Sequence, residues 1–363
     1  MPITTSPQFG TPPKDIAHEL ALLSNALDAS IPPKELDRNL IVATWNVREL
    51  GNLTKKWETG AGDSPKRNVA DAHYIAEILS RFDVVAVQEV QGNLEALRLV
   101  MRLLGPDFGF HVTDVNTGHA GDDERLAYIY DLRRVVPSGL AGELVLSEVD
   151  LGLPPRGEEP KGEEPPKRLV EALDRQLAKP PYVMSFMTAG RPFVLATVHI
   201  VWGEDDELEP RAEEVEALAK MVKRMAKPAS GDEGVEFRSN VIVLGDKNIT
   251  SVEDPIYKAL VENGLQPDVD TLEAPRTVSD RRRPGQAIAY DQIAWIAAPP
   301  GKPPPPGALE FRRRKGDTFP WDAFILQGVE GNTTFRISDH YPLWVEFSVR
   351  ESIYEGREVP PGG

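Results

Sequence analysis

The 363-residue chain contains no cysteine, so no disulfide holds the fold and no thiol does chemistry. It has no run of 18 apolar residues, which excludes a membrane-spanning helix of ordinary length. Met1 to Lys14 lacks the basic start and apolar core of a secretory signal. A reducing, cytoplasmic setting is expected, although a processed secreted chain would read the same. Basic residues are in deficit. The 41 Lys and Arg against 57 Asp and Glu give a formal charge of −16. That opposes indiscriminate long-range attraction to nucleic acid. It still leaves room for a nucleic-acid enzyme, because a bound divalent ion supplies local positive charge. The chain also lacks internal repeats, and no Pro/Ser linker splits it into comparable halves.

Hydrophobic residues make up 40% and charged residues 27%, an ordinary globular balance. Residues 1–38 read as an N-terminal helical extension. Ile16, Leu20, Leu23 and Leu27 fall at helical spacing over Asp15 to Leu27, and Pro32-Pro33 ends the pattern. A main domain is expected over 39–350, interrupted by a Pro- and Glu-rich insertion at about 150–181 that holds one short helix. A mobile tail is expected over 351–363. Strand signals fall at Leu40 to Trp45, Asp83 to Val87, Arg125 to Tyr130, Tyr182 to Met187, Phe193 to Val198, Val241 to Leu244 and Ala287 to Ile296. A last strand follows His340, where Leu343, Val345 and Phe347 alternate with Trp344 and Glu346. Helical spacing marks Val69 to Leu79, Leu94 to Leu104, Pro210 to Met225 and Ile256 to Leu265. Interleaved strands and helices point to sheet packed between helices, of α/β (α+β) class.

The strands end in groups suited to metal and phosphate chemistry. These are Asn46, Glu89, Glu124, His199, Asp246 with Asn248, Asp291, and Asp339 with His340. Any one of them alone fits a cap or turn residue. Seven such positions in one chain argue for a shared role.

Thr44-Trp45-Asn46-Val47-Arg48, Val87-Gln88-Glu89-Val90, Gly245-Asp246-Lys247-Asn248, Tyr290-Asp291-Gln292-Ile293 and Ser338-Asp339-His340-Tyr341-Pro342 occur in that order. In this the chain resembles the endonuclease/exonuclease/phosphatase superfamily, and within it the pancreatic-type, DNase I-like deoxyribonucleases. The match runs over roughly residues 40 to 348. The resemblance implies a four-layer sandwich, two packed mixed β-sheets flanked by helices. It implies a phosphodiester hydrolase dependent on Mg²⁺ or Mn²⁺, with Ca²⁺ a further candidate, and DNA as the favoured substrate. Glu89 is then the main metal carboxylate, with Asn46 beside it and Asp339 close by. Mg²⁺ takes oxygen ligands and keeps several waters, so this small set suffices. By the same resemblance His340 pairs with Asp291 and His199 with Glu124, while Asp246 and Asn248 orient the attacking water and hold a phosphate oxygen. A carboxylate behind an imidazole fixes its tautomer and raises its basicity.

The chain departs from the pancreatic pattern in several places. Lys247 replaces an apolar residue, which would put a cation near the phosphate. Gln91 stands where those enzymes carry a minor-groove arginine, and Asp122 where they carry a stacking tyrosine. Double-strand minor-groove binding is therefore not expected. Arg48 is a candidate phosphate contact or a plain surface arginine. Arg281, Arg282 and Arg283 form one basic loop and Arg312 to Lys315 another, each either facing DNA or merely solvated. The Asn-x-Thr triplets at Asn52, Asn248 and Asn332 read as accidental. A phosphatase or phospholipase-type hydrolase on inositol phosphate or sphingomyelin-like substrates is the alternative within the fold. A catalytically weak scaffold is the alternative outside it. No obligate protein partner is indicated.

Overall fold

The computed structural model describes residues 9–116, 123–145, 179–200, 208–226, 240–282, 290–297, 303, 308–329 and 333–349. Most of the 150–181 insertion, with its expected helix, and the 351–363 tail lie outside the described residues.

Alternating side chains build two six-stranded sheets. The first contains β1 (Asn39–Leu50), β2 (Val84–Gln91), β3 (Phe108–Val112), β4 (Glu124–Asp131), β11 (Arg312–Thr318) and β12 (Leu343–Ser348), in the order β11-β12-β1-β2-β4-β3. The second contains β5 (Val136–Glu143), β6 (Tyr182–Thr188), β7 (Arg191–His199), β8 (Val241–Asp246), β9 (Leu265–Pro267) and β10 (Asp291–Ile296), in the order β5-β6-β7-β8-β10-β9. The β1–β2 and β7–β8 pairs are parallel, and the other pairs are antiparallel.

The period of two sorts side chains between layers. Leu40 and Val42 of β1 join Phe186, Leu244, Ile293 and Val345 in a core between the sheets. Ile41, Ala43 and Trp45 face the other way, into a core shared with α1 (Lys14–Ser30), α2 (Val69–Leu79) and α3 (Glu95–Leu104). On the far side, α4 (Leu208–Met225) and α5 (Pro255–Glu262) cover the second sheet through Val215, Leu218, Val222, Ile256 and Leu260. The result is a four-layer sandwich, helices outside and two mixed sheets inside.

Local chemistry fixes the helix starts. Asn68 and Asp71 make a reciprocal capping box at α2, with bonds of 2.9 and 3.1 Å. Asp254 caps α5, with Pro255 at the first helical position. α1 buries Ile16, Leu23 and Leu27 and packs on α2, where the Tyr74 hydroxyl donates to Glu19. No described helix is long and apolar enough to cross a membrane.

Three strands carry no side-chain signal. β3 and β5 are largely exposed and β11 reads Arg-Arg-Arg-Lys-Gly-Asp-Thr. β3, β5 and β11 sit at sheet edges, where backbone pairing and not apolar alternation places them. Arg312 to Lys315 thus lies on an edge strand and not in the expected loop. Arg313 pairs with Asp268 at 2.9 Å and Asp270 at 2.6 Å, and Arg314 with Glu346 at 2.9 Å. Lys315 lies over the Trp344 ring. Charge on an edge strand also discourages pairing with other chains.

His73 on α2 is buried beside Trp57, with ring centroids 5.0 Å apart and Nε2 unpartnered. Burial pushes its imidazole down from 6.5 to about 4. The folded chain therefore keeps His73 neutral at pH values where the unfolded chain protonates it. The associated stability is complete above pH 6.5 and is lost as pH falls towards about 4. By about pH 4.5 the loss is about 2.5 kcal/mol. Denaturant unfolding of wild type and His73→Leu across this range should show a steeper acid loss in wild type. Parallel curves would contradict the assignment.

Candidate active site

The functional side chains sit at the same end of both sheets because the central strands finish in register. In the second sheet His199 lies opposite Asp246, and Asp246 opposite Asp291. In the first, Asn46 lies opposite Gln88, and Gln91 opposite Glu124. A buried polar bridge ties the two sheets just below the site. Gln88 Nε2 donates to Thr197 Oγ1 at 2.9 Å and to Thr44 Oγ1 at 3.1 Å. Gly245 permits the close approach of β7 and β8. Its φ is 133°, and a Cβ there would meet the Val198 carbonyl oxygen at 2.0 Å.

Glu89 reaches the site through a backbone irregularity. Gln88 already faces the inter-sheet side, so plain alternation would turn Glu89 towards the helices. The β1–β2 and β2–β4 registers both shift around it, and its φ is 59°. A non-glycine residue held in this region stores strain, which is common where a side chain must be aimed. The carboxylate accepts from Asn46 Nδ2 at 2.8 Å and from the Glu49 N–H at 3.0 Å. Asn46 Nδ2 also donates to Asp246 Oδ2 at 3.1 Å, which joins the two sheets across the site.

His340 lies in the loop before β12, and its main chain is strongly fixed. Trp45 Nε1 and Trp321 Nε1 donate to its carbonyl at 3.0 and 3.2 Å. Its N–H donates to Ser338 Oγ, which itself donates to the Asn46 carbonyl at 2.6 Å. The ring's Nδ1 meets Asp291 Oδ2 at 2.8 Å and its Nε2 lies 3.7 Å from Asp246 Oδ2. Burial opposes charge on the ring, but the Asp291 and Asp246 carboxylates outweigh it and hold the imidazole well above its usual range. Burial pushes the Asp291 carboxyl up, against the pull of His340. Burial would raise Asp246 too, yet His340 and His199 hold it below the carboxylate range.

His199 Nδ1 meets Glu124 Oε1 at 2.8 Å. Lys179 lies against the same oxygen, with Nζ 3.4 Å from His199 Nδ1. Burial opposes ionisation of both dyad members. The His199–Glu124 bond nevertheless keeps the ring above, and the carboxyl below, their usual values. Asp246 is therefore set between two histidine–carboxylate pairs.

Among the described residues two clusters have ligand atoms within 4.8 Å of one another: Glu89 with Glu124 and His199, and Asp246 with Asp291 and His340. In the second the His340 ring is already engaged on both sides, Nδ1 by Asp291 and Nε2 beside Asp246. Glu89 is half-buried and open to solvent, and the neighbouring Asn46 Oδ1 is buried without a partner. An oxygen-only pair with an orphaned acceptor fits a hard divalent ion that keeps its waters.

The structure brings Asn46, Glu89, Glu124, His199, Asp246, Asp291 and His340 together. Asp339 is at the rim, 41% exposed, paired with Arg48 at 3.2 Å. Arg48 also lies 3.8 Å from the Phe335 ring centre and donates to Thr334. The Asn248 N–H donates to Asp246 Oδ1, but its side-chain nitrogen is bound to the Ile200 carbonyl at 2.6 Å. Lys247 corrects an expectation. Its side chain is fully buried and Nζ donates to the Gln292 carbonyl at 3.0 Å. Burial lowers it to about 7. Arg281 and Arg282 end α6 (Val278–Arg282). Their side chains, and all of Arg283, lie outside the described residues. Lys179 was not foreseen: it follows a charged, Pro-rich stretch in which no spacing distinguishes one lysine from another.

Comparison with solved structures finds the same fold at low identity. An endonuclease/exonuclease/phosphatase family protein from Bacteroides thetaiotaomicron is 16% identical at a TM-score of 0.53, covering 86% of this chain and 98% of that one. A mannosyl-6-phosphatase from the same organism is 17% identical at 0.52, covering 85% and 99%. A humanized D. rerio TDP2 is 13% identical at 0.50, covering 85% and 98%. No curated protein matches in sequence. The sequence model described as the Endonuclease/Exonuclease/phosphatase family matches residues 43–340, and the chain belongs to that family.

Proposed function

We propose that the chain is a phosphodiesterase dependent on Mg²⁺ or Mn²⁺, with DNA as its favoured substrate. The observation that carries this reading is Asp246 set between the His340–Asp291 and His199–Glu124 pairs, within reach of Asn46 and Glu89. Members of the family hydrolyse phosphoester bonds.

Glu89 and Asn46 would hold the ion, which supplies Lewis-acid polarisation of a phosphate oxygen. The other steps belong to the chain. Asp246, ionised, aligns the attacking water with the phosphorus and accepts the proton that the water gives up. As the water oxygen bonds to phosphorus, the bond to the leaving oxygen breaks. An imidazolium, from His340 or His199, gives its proton to that leaving oxygen. Asp291 and Glu124 hold the two rings in place and stabilise their charge. Both rings also offset the negative charge that develops on the phosphate.

Support for a nucleic acid comes from the Tyr290-Asp291-Gln292-Ile293 and His340-Tyr341-Pro342 segments and from the rim. Phe335 is 39% exposed with Arg48 against it, a surface on which an unpaired base can stack. Arg281, Arg282 and Arg283 are proposed phosphate contacts.

Hydrolysis of plasmid, single-stranded DNA, RNA and bis-p-nitrophenyl phosphate should stop in EDTA and return with Mg²⁺ or Mn²⁺. Glu89→Gln should remain folded and lose ~10²-fold or more of its rate, in keeping with several kcal/mol of metal stabilisation. Full activity of that variant, or in EDTA, would remove the metal role. In the same assay, replacing the three arginines with Ala should flatten the salt dependence on DNA and leave the small ester unaffected. An unchanged salt slope would place the loop away from substrate.

The two imidazoles are separable by mutation. His199→Ala and His340→Ala should each cost ~10²–10⁴-fold. The double variant should cost far less than the product, because groups acting on one transition state are not additive. Asp291→Asn should behave as a milder His340→Ala, since the ring remains but is poorly held. A near-normal rate in either single variant, with circular dichroism confirming the fold, would remove that ring from the chemistry.

A further inference from the structure

Glu89, Glu124 and His199 form a cluster whose composition suits a second cation, and the chain itself supplies one. Lys179 lies on Glu124 Oε1, the same oxygen that meets His199 Nδ1. Its Nζ is 3.4 Å from that ring nitrogen, and its side chain is 5% exposed. The backbone around it is stiff. Pro180 and Pro181 follow at once, and Pro restricts both its own φ and the residue before it. Pro181 then accepts a hydrogen bond from the Leu144 N–H at 2.8 Å, which pins the segment to the strand beside it. A buried ammonium needs an opposing carboxylate, and Glu124 is in contact with it.

We infer that Lys179 is a built-in second cation. The chain binds one divalent ion, on the Glu89–Asn46 side. On the Glu124–His199 side Lys179 fills the position that a second ion would take. This rests on the metal-dependent reading of the site. Two-metal phosphoryl enzymes set their ions about 3.5–4 Å apart and need both to be loaded. A tethered ammonium makes no coordination demand and is present at any metal concentration. It neutralises Glu124, so a phosphate approaching His199 is not repelled by an unpaired carboxylate. Lys179 is in this sense a positioning residue that acts through Glu124 and His199.

The test is a Mn²⁺ titration of the metal-free, full-length protein, with free ion followed by electron paramagnetic resonance. Wild type should bind one ion per chain. Lys179→Met keeps similar length without charge. It should admit a second, weaker ion and tighten the first by ~10-fold, the scale typical of a neighbouring-residue effect on metal affinity. Lys179→Arg should return to one ion. A merely structural lysine would leave the count at one and weaken the first site. Binding of two ions by wild type, with one lost in His199→Ala, would overturn the inference. A Met variant that stays at one ion with no tightening would do the same. If the Met variant does not fold, Lys179→Gln, also uncharged, takes its place and is read against the same outcomes. Wild type that binds no Mn²⁺ would instead overturn the metal-dependent reading itself, and the inference with it.

Discussion

A carboxylate buried away from water needs compensating partners, and Asp246 has four. His340 and His199 supply positive charge, and the Asn248 N–H and Asn46 side chain donate to it. An unpaired charge at this depth would be expensive, so the partners must arrive together. They come from both sheets and from the loop before β12. Two sheets packed face to face provide this, because the ends of β1, β7, β8 and β10 open at one edge of the shared apolar core. The arrangement also explains why so much of the surrounding main chain is fixed by side chains. Two indole N–H groups hold the His340 carbonyl, and Ser338 ties its loop to β1.

The site thereby divides into two electrostatic halves. On one side Asp246, Asp291 and His340 form a network in which each charge has an opposite one beside it, with Asp291 Oδ1 buried and unsatisfied. On the other, Glu89 faces solvent, with Asn46 Oδ1 buried and unsatisfied. The first half suits proton donation and water alignment. The second suits a cation. The bulge at Glu89 separates them, because it takes one carboxylate out of the alternation that the strand would impose.

Much of this is legible in the sequence. Buried strands such as Val84 to Val87 and Val241 to Leu244 announce themselves by continuous apolar residues, and the polar group that ends each one marks the site edge. Val69 to Leu79 shows itself by apolar residues at helical spacing. What the sequence hides depends on three-dimensional pairing. β11 opens Arg-Arg-Arg-Lys and becomes a strand because β12 offers it backbone partners. Lys247 stands next to Asp246 in sequence, yet the end of β8 turns its ammonium inward to a carbonyl. Lys179 is 55 residues from Glu124 by number and in contact with it in space. No local pattern connects such residues.

The central claim is that the open half, and not the closed one, takes the metal. Anomalous diffraction from crystals soaked in Mn²⁺ tests this most directly. The account predicts a peak at the Glu89 carboxylate and Asn46 carboxamide, with the His340–Asp291 bond intact. A peak bound instead by Asp246, Asp291 and a deprotonated His340, with none at Glu89, would contradict it.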